Sequence, residues 1–449
     1  MTGLPAGATE LRRGLGLLSA TMIVLGGIIG GGIFFTPSVV AQALPSGGWI
    51  LAIWMFGGLV ALAGALTYAE LGAMLPGSGG AYVYIREAFG HLAAFLYGWM
   101  LLASIATGAA AAVSVAFAEY VGRFADISRL GGSSVLATVT IAVLTVTNYV
   151  GLRPGAAVQN GLTLSKIFAL LALIVGGIAV WSRLGDAPYA IAAPAIVPTP
   201  PHIAAGLAAA FVPVLFSIGG WQNVNMVAGE VRDPARLLPR ALTIGIIIVI
   251  TCYLGANAIY LRALGRDGLA ASTAVAADTA VRLVGPVGAT LITLAAMLSI
   301  LGIVNVILLA TPRVFYAMAR DGTFLTSCAK IHPRFGTPHV AIAFTGAWSI
   351  ALLWLAGGKI GELLSGVVFA DWIFFGLGAA SALVLRRTQP GAPRPYRVLG
   401  YPIVPAFFVL SAVAAVVSAV AASPAASARG ALLLVLGALL FMLKWRRRK

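Results

Sequence analysis

The sequence has 449 residues, of which 60% are hydrophobic and only 9% charged, and its mean hydropathy is +0.99. That composition excludes an ordinary soluble domain, and no charged linker interrupts it at the intervals of about 100–200 residues that a soluble multidomain chain would show. The net charge of +16 resides in short segments between apolar stretches and forms no basic face, which argues against nucleic acid as a partner. The lipid bilayer is the partner that this composition implies.

Taken in order, the chain predicts an all-α polytopic membrane protein with 12 transmembrane helices, at about 15–44, 48–75, 88–120, 133–151, 158–182, 203–231, 241–264, 286–318, 338–357, 361–385, 402–422 and 429–445. Residues 1–14 are polar, lead through Arg12-Arg13 into the first span, and show no signal-peptide cleavage pattern. As one helix, the first span would measure about 45 Å, against a hydrocarbon core of roughly 30 Å. At its centre stands Gly26-Gly27-Ile28-Ile29-Gly30-Gly31-Gly32-Ile33-Phe34. Each glycine costs about 1 kcal/mol of helicity relative to alanine, and non-helical backbone at membrane depth survives only where it lines a cavity. The glycines read either as a surface for close helix packing or as a break at residues 29–32 whose free N–H groups hold a ligand.

Pro76 to Gly80 reads as a flexible loop after the second span, and the Pro-rich stretch Ala193 to Pro201 as an external loop. In the sixth span, FVPVLFSIGGWQNVN (Phe211 to Asn225) is interrupted at Gly219-Gly220. Ser272 to Val281 suits a short interfacial helix. Interrupted spans at corresponding places in two halves point to a transporter's binding site. Spans one and six stand five apart, which fits a repeat of spans 1–5 and 6–10, and an odd number of crossings makes the second copy inverted. The expected organisation is a segment 1–14, a first repeat 15–182, a second repeat 203–385, two further spans within 402–445, and a basic tail 446–449.

Charge sets the expected orientation. With both termini cytoplasmic, 20 of the 29 basic residues fall inside and 8 outside, while Lys166 lies within the fifth span. The expected location is the cell inner (cytoplasmic) membrane. Cys252 in a span and Cys328 in a loop make no disulfide framework.

Several motifs resemble the amino acid–polyamine–organocation superfamily. They are GGIIGGGIFFTP in span one, TYAELGAMLPGSGGAYVYIREAFG after span two, GWQNVNMVAGEVRDPARLLPRAL from span six, RVFYAMARDGTF and IHPRFGTPHVA around span eight, and RPYRVLGYPIVP before span eleven. The resemblance covers nearly the whole chain and is closest to bacterial relatives of the L-type amino acid transporters. It implies a LeuT-like 5+5 inverted repeat with broken helices 1 and 6, and transport of L-amino acids. Gly31 departs from the pattern, since many relatives carry serine there and this chain loses that hydroxyl.

An amino acid carries a carboxylate and an ammonium. Orphan donors and the positive dipole end at a helix start suit the carboxylate, and Gly30, Gly31, Gly32 and Ile33 would supply them. Carbonyls at the end of a broken half-helix suit the ammonium, which makes Ile28, Ile29 and the stretch Phe216, Ser217, Ile218 and Gly219 candidates, with Gly220 completing the break. The resemblance implies that Phe216 covers the substrate as a gate; otherwise it is an ordinary core or lipid-facing ring. Trp221 either lines the side-chain pocket or packs.

Lys166 shares a helix face with Gln159 and Thr163, and a lysine inside the bilayer costs at least about 2.5–3.5 kcal/mol. It either snorkels to the cytoplasmic interface or, as the resemblance implies for sodium-independent members, places its ammonium where sodium-coupled cousins bind a cation between helices one and eight. Asn305 is a candidate neighbour. Loss of its proton during the cycle would make the chain a proton-coupled symporter. Glu70, Glu230, Arg313, Arg320 and Asp371 are expected near cytoplasmic span ends as solvated charges, with gating salt bridges as the alternative.

Four scattered histidines make no metal site, no P-loop is present, and no cofactor is called for. A membrane enzyme would need convergent acid, base or nucleophilic groups at membrane depth, and none is found. A non-transporting amino acid sensor is the other rival. The apolar breaks, with no acid beside them, favour neutral amino acids. The resemblance implies, for many eukaryotic members, a glycoprotein subunit disulfide-linked through a cysteine in the external loop after span three; here that loop, Val121 to Gly132, has no cysteine, so no disulfide-linked heavy subunit is expected.

Overall fold

The computed structural model describes residues 11–184, 202–357 and 367–446. Residues 1–10, the Pro-rich stretch Ala193 to Pro201, Lys359, the first residues of the tenth expected span and the tail beyond Arg446 lie outside them. Every regular element described is helical.

The first span is two helices, α1 (Leu17–Ile28) and α2 (Gly32–Ala43), bent by 41° at the glycine run. Next come α3 (Gly47–Met74), α4 (Ala81–Phe89) and a long helix α5 (His91–Val121) with a π-helical stretch at Leu101–Ile105. α6 (Gly132–Tyr149) and α7 (Leu152–Ala179) follow. The sixth span is also interrupted: α8 (Ile203–Ile218) stops at Gly219, and the single turn α9 (Asn223–Met226) and a short 3-10 turn (Ala228–Glu230) follow. Then come α10 (Pro234–Ala271), kinked at Gly265, α11 (Val275–Val284), α12 (Pro286–Ala310), α13 (Pro312–Arg320) and α14 (His339–Leu355). α15 (Val367–Thr388), α16 (Ile403–Ala422) and α17 (Pro424–Arg446) complete the chain.

Among the described residues, nine helices are long and apolar enough to cross a membrane, and the bent pair α1–α2 makes a tenth. α8 and α14 are equally apolar but shorter, at 16 and 17 residues. The chain is a multi-pass membrane protein.

Three differences from the sequence expectation have clear causes. The first concerns Pro76 to Gly80, which is a pinned turn, not a flexible loop: the Gly79 amide donates to Met226 O at 2.9 Å. Gly79 and Gly80 adopt φ of +118° and +52°, which glycine tolerates and other residues rarely do. That turn launches α4, most of which lies between the expected loop and the expected third span. The second difference is that α7 begins six residues before its expected start. Lys166 is therefore 14 residues into the helix, about 21 Å along it, and its side chain is fully buried inside the bundle.

The third concerns charge. Glu230 and Arg313 are not solvated: both side chains are 1% exposed and they pair with each other. Glu70 is likewise buried, bonded to Arg386 and to the Val398 amide. Pairing offsets part of the cost of burying such charges. Arg320 is exposed, as expected, with its guanidinium over the Tyr316 ring. Asp371 is not at the end marked by Arg386 and Arg387. It lies 15 residues before Arg386 in the same helix, about 22 Å away.

Candidate substrate site between the two broken spans

Both breaks are held by close backbone contact. Gly220, at φ +104°, sits against Gly27: a Cβ added to Gly220 would lie 2.2 Å from Gly27 O, and one added to Gly27 would lie 2.6 Å from Gly220 O. Only residues without side chains let the two chains meet there. The second break is capped from within, since the Gln222 side-chain oxygen accepts from the Gly220 amide and the Asn223 amide group donates to Gly220 O.

Tyr253, on α10, ties the breaks together. Its hydroxyl lies 3.1 Å from Ile28 O and 3.2 Å from Ser217 O, the ends of the two half-helices. The Ser217 hydroxyl in turn pairs with Thr36 at 2.7 Å, joining α8 to α2. Sequence reasoning missed Tyr253, because a lone tyrosine in an apolar span carries no sign of which distant backbone it will meet.

The Lys166 ammonium is fully buried and donates to Gly26 O at 3.0 Å and Ile29 O at 2.7 Å. Ser299 on α12 shares Ile29 O at 3.1 Å. Close approach is again the condition: a Cβ at Gly26 would strike Gln159 and Thr163, and one at Gly302 would lie 2.8 Å from the Lys166 nitrogen. Asn305 stands further along α12 and does not meet the lysine. It bonds Gln159 at 2.8 Å and Asn148 at 3.0 Å, and Gln159 continues through Thr163 to Met22 O. This buried amide chain docks α6, α7 and α12 onto α1.

The candidate ammonium acceptors are therefore unequal. Ile28 O, Ile29 O and Ser217 O already receive donors from the chain, and Phe216 O receives the Gly219 amide at 3.3 Å. Ile218 O and Gly219 O accept no bond from any described residue. On the donor side, Gly30, Gly31, Gly32 and Ile33 occupy the bend and the first turn of α2, where amides lack intrahelical partners. Phe216 is 61% exposed. Trp221 is 2% exposed and lies among Tyr68, Phe375 and Phe408.

Residues 15–442 match the family model described as amino acid permease. The chain belongs to the amino acid permease family, within the amino acid–polyamine–organocation superfamily. This permease is 35% identical over 421 residues to the human large neutral amino acids transporter small subunit 2, covering 90% of this chain and 76% of that one. It is 31% identical over 412 residues to the serine/threonine exchanger SteT of Bacillus subtilis, covering 90% and 91%. The human b(0,+)-type amino acid transporter 1 is 31% identical over 438 residues, with 96% and 88% covered. Amino acid transport across a membrane is accordingly this permease's function class.

Space at the first break separates two neighbouring glycines. A Cβ at Gly31 would meet only the Phe35 ring, at 3.5 Å, whereas one at Gly32 would lie 2.6–3.0 Å from Ser217. Gly31→Ala is expected to leave thermal unfolding in detergent nearly unchanged. Gly32→Ala should destabilise by about 1–3 kcal/mol. Equal stabilities would place the α2–α8 contact elsewhere.

Proposed function

We propose that the chain is a sodium-independent transporter of neutral L-amino acids that works by alternating access, through exchange or facilitated diffusion. The observation that carries this is the Lys166 ammonium bonded to Gly26 O and Ile29 O at the first break. A fixed positive charge there does for the free carbonyls what a bound sodium ion would do. In this reading twelve crossings form a LeuT-like pair of inverted repeats, 15–182 and 203–385, followed by two spans within 402–445. The amides of Gly30 to Ile33 receive the substrate carboxylate, and Ile218 O and Gly219 O receive its ammonium. Phe216, exposed in this conformation, closes over the substrate as the gate. The relatives named for large neutral amino acids and for serine/threonine exchange support a neutral substrate and an exchange cycle.

Both termini are cytoplasmic in this reading, in the cell inner membrane, on the basis of the 20-to-8 division of basic residues. A cysteine at Arg12 that reacts with an impermeant reagent on intact cells would reverse the orientation. The two native cysteines do not interfere, because both are buried and unpaired, and burial pushes the Cys328 thiol up to about 11. With no cysteine between Val121 and Gly132, the chain works without a disulfide-linked heavy subunit.

Proteoliposomes holding the purified chain alone test the whole reading. Unlabelled neutral amino acid inside should accelerate uptake of labelled amino acid without sodium, and Phe216→Ala should slow it. Accumulation driven by an inward proton gradient and abolished by a protonophore would replace exchange with proton symport. Binding without uptake would make the chain a sensor.

A further inference from the structure

Away from the broken spans, a cavity of about 390 Å³ opens at the end of the bundle where the chain enters α1. Arg12 and Arg13 line it from the entering strand, Val150 to Pro154 from the α6–α7 turn, and Arg334 to Gly336 from the segment before α14. Four of its lining residues are arginines and none is acidic. Among the described residues, none of Arg12, Arg13, Arg153 and Arg334 forms an ion pair. Guanidinium groups are planar forks suited to phosphate oxygens, and four in one cavity leave a concentrated positive charge without a counter-ion.

A second feature runs into the same cavity. Val139, Val143, Val146 and Val150 recur at helical spacing along α6, and they are 50%, 57%, 60% and 38% exposed. Val150 also lines the cavity. An exposed apolar stripe on an apolar, span-length helix thus ends in a basic pocket where two spans join. Basic pockets between membrane-spanning helices bind anionic lipid headgroups.

We propose that this cavity is a binding site for an anionic phospholipid, its phosphate among Arg12, Arg13, Arg153 and Arg334 and one acyl chain along Val139 to Val150. The site has a mechanical consequence. Arg12 and Arg13 precede the strand whose Gly14 and Leu15 amides donate to Glu230 O, while the Arg232 amide donates back to Leu15 O. A lipid held by those arginines fastens the entrance of α1 to the α6–α7 turn, in addition to its contact with the end of the sixth span.

The test uses the full chain, stripped of lipid in a neutral detergent and titrated in native mass spectrometry. Phosphatidylglycerol and phosphatidylcholine with identical acyl chains are compared, with glycerol 3-phosphate and inorganic phosphate as chainless competitors. One phosphatidylglycerol should be retained where phosphatidylcholine is not. Arg153→Gln with Arg334→Gln should weaken that binding about thirtyfold, from two lost charge contacts. Val143→Glu with Val146→Glu keeps the arginines and removes the acyl track, and it should also weaken binding, which covers the case in which the arginine variant fails to fold. Equal retention of the two lipids, or unaltered phosphatidylglycerol binding in either variant, would overturn the proposal. Competition by glycerol 3-phosphate or phosphate as effective as that by the lipid would make this a site for free anions and equally refute it.

Discussion

Lys166→Ala is expected to bring exchange in proteoliposomes down to the background of protein-free vesicles. The substitution removes the donor shared by Gly26 O and Ile29 O, and an unpaired buried acceptor costs about 1–3 kcal/mol. Ile29 O keeps Ser299, so the larger loss falls on Gly26 O, inside the last turn of α1. The half-helix then has no fixed charge to define its position, and the amides beyond it lose their register against the second break. Thermal unfolding should fall less than activity does, because the amide chain from Asn148 to Met22 still docks α7 onto α1. Exchange at the wild-type rate would reduce Lys166 to a structural residue and remove the observation on which sodium independence rests.

The second large effect concerns stability. Arg313 meets Glu230 through two parallel bonds, of 2.6 and 3.0 Å, with both side chains 1% exposed. Arg313→Met leaves a buried carboxylate without its counter-charge, and such losses run to about 3–5 kcal/mol. Combining it with Glu230→Leu should restore part of the loss, since a dry apolar pair replaces the dry ionic one. The midpoint of thermal unfolding in detergent is the measurement. If Arg313→Met unfolds with the wild type, the pair carries no stability. The Glu230 backbone also accepts from Gly14 and Leu15, so the same residue closes the seam between the entrance of α1 and the end of the sixth span.

Much of this architecture was legible because it is written in local chemistry. Glycine runs at Gly30 to Gly32 and at Gly219-Gly220 weaken a helix wherever they stand, and their corresponding places five spans apart, more than composition, favour a break over close packing. Lys166 drew attention because an intramembrane charge is expensive anywhere. Tyr253 was illegible for the opposite reason: its partners Ile28 and Ser217 are 225 and 36 residues away, and nothing in its neighbours announces them. The same holds for Glu230 and Arg313, 83 residues apart, which looked like two ordinary end charges until packing brought them together. Asn305 shows the limit of helix spacing as a guide. It lies on the expected helix, but the residue that shares Ile29 O with the lysine is Ser299, about two turns earlier. Trp221, open to two readings in the sequence, lies among three rings, Tyr68, Phe375 and Phe408.

A charge that belongs to the chain never leaves it. A carrier that takes its cation from solution moves that charge across the membrane at every turnover, and each elementary charge is worth about 2.3 kcal/mol per 100 mV. With the Lys166 ammonium in that position, a zwitterionic amino acid crosses past it and no net charge is transferred. In the exchange cycle proposed here, the membrane potential therefore neither drives nor opposes turnover, and the steady state follows the ratio of amino acid concentrations on the two sides.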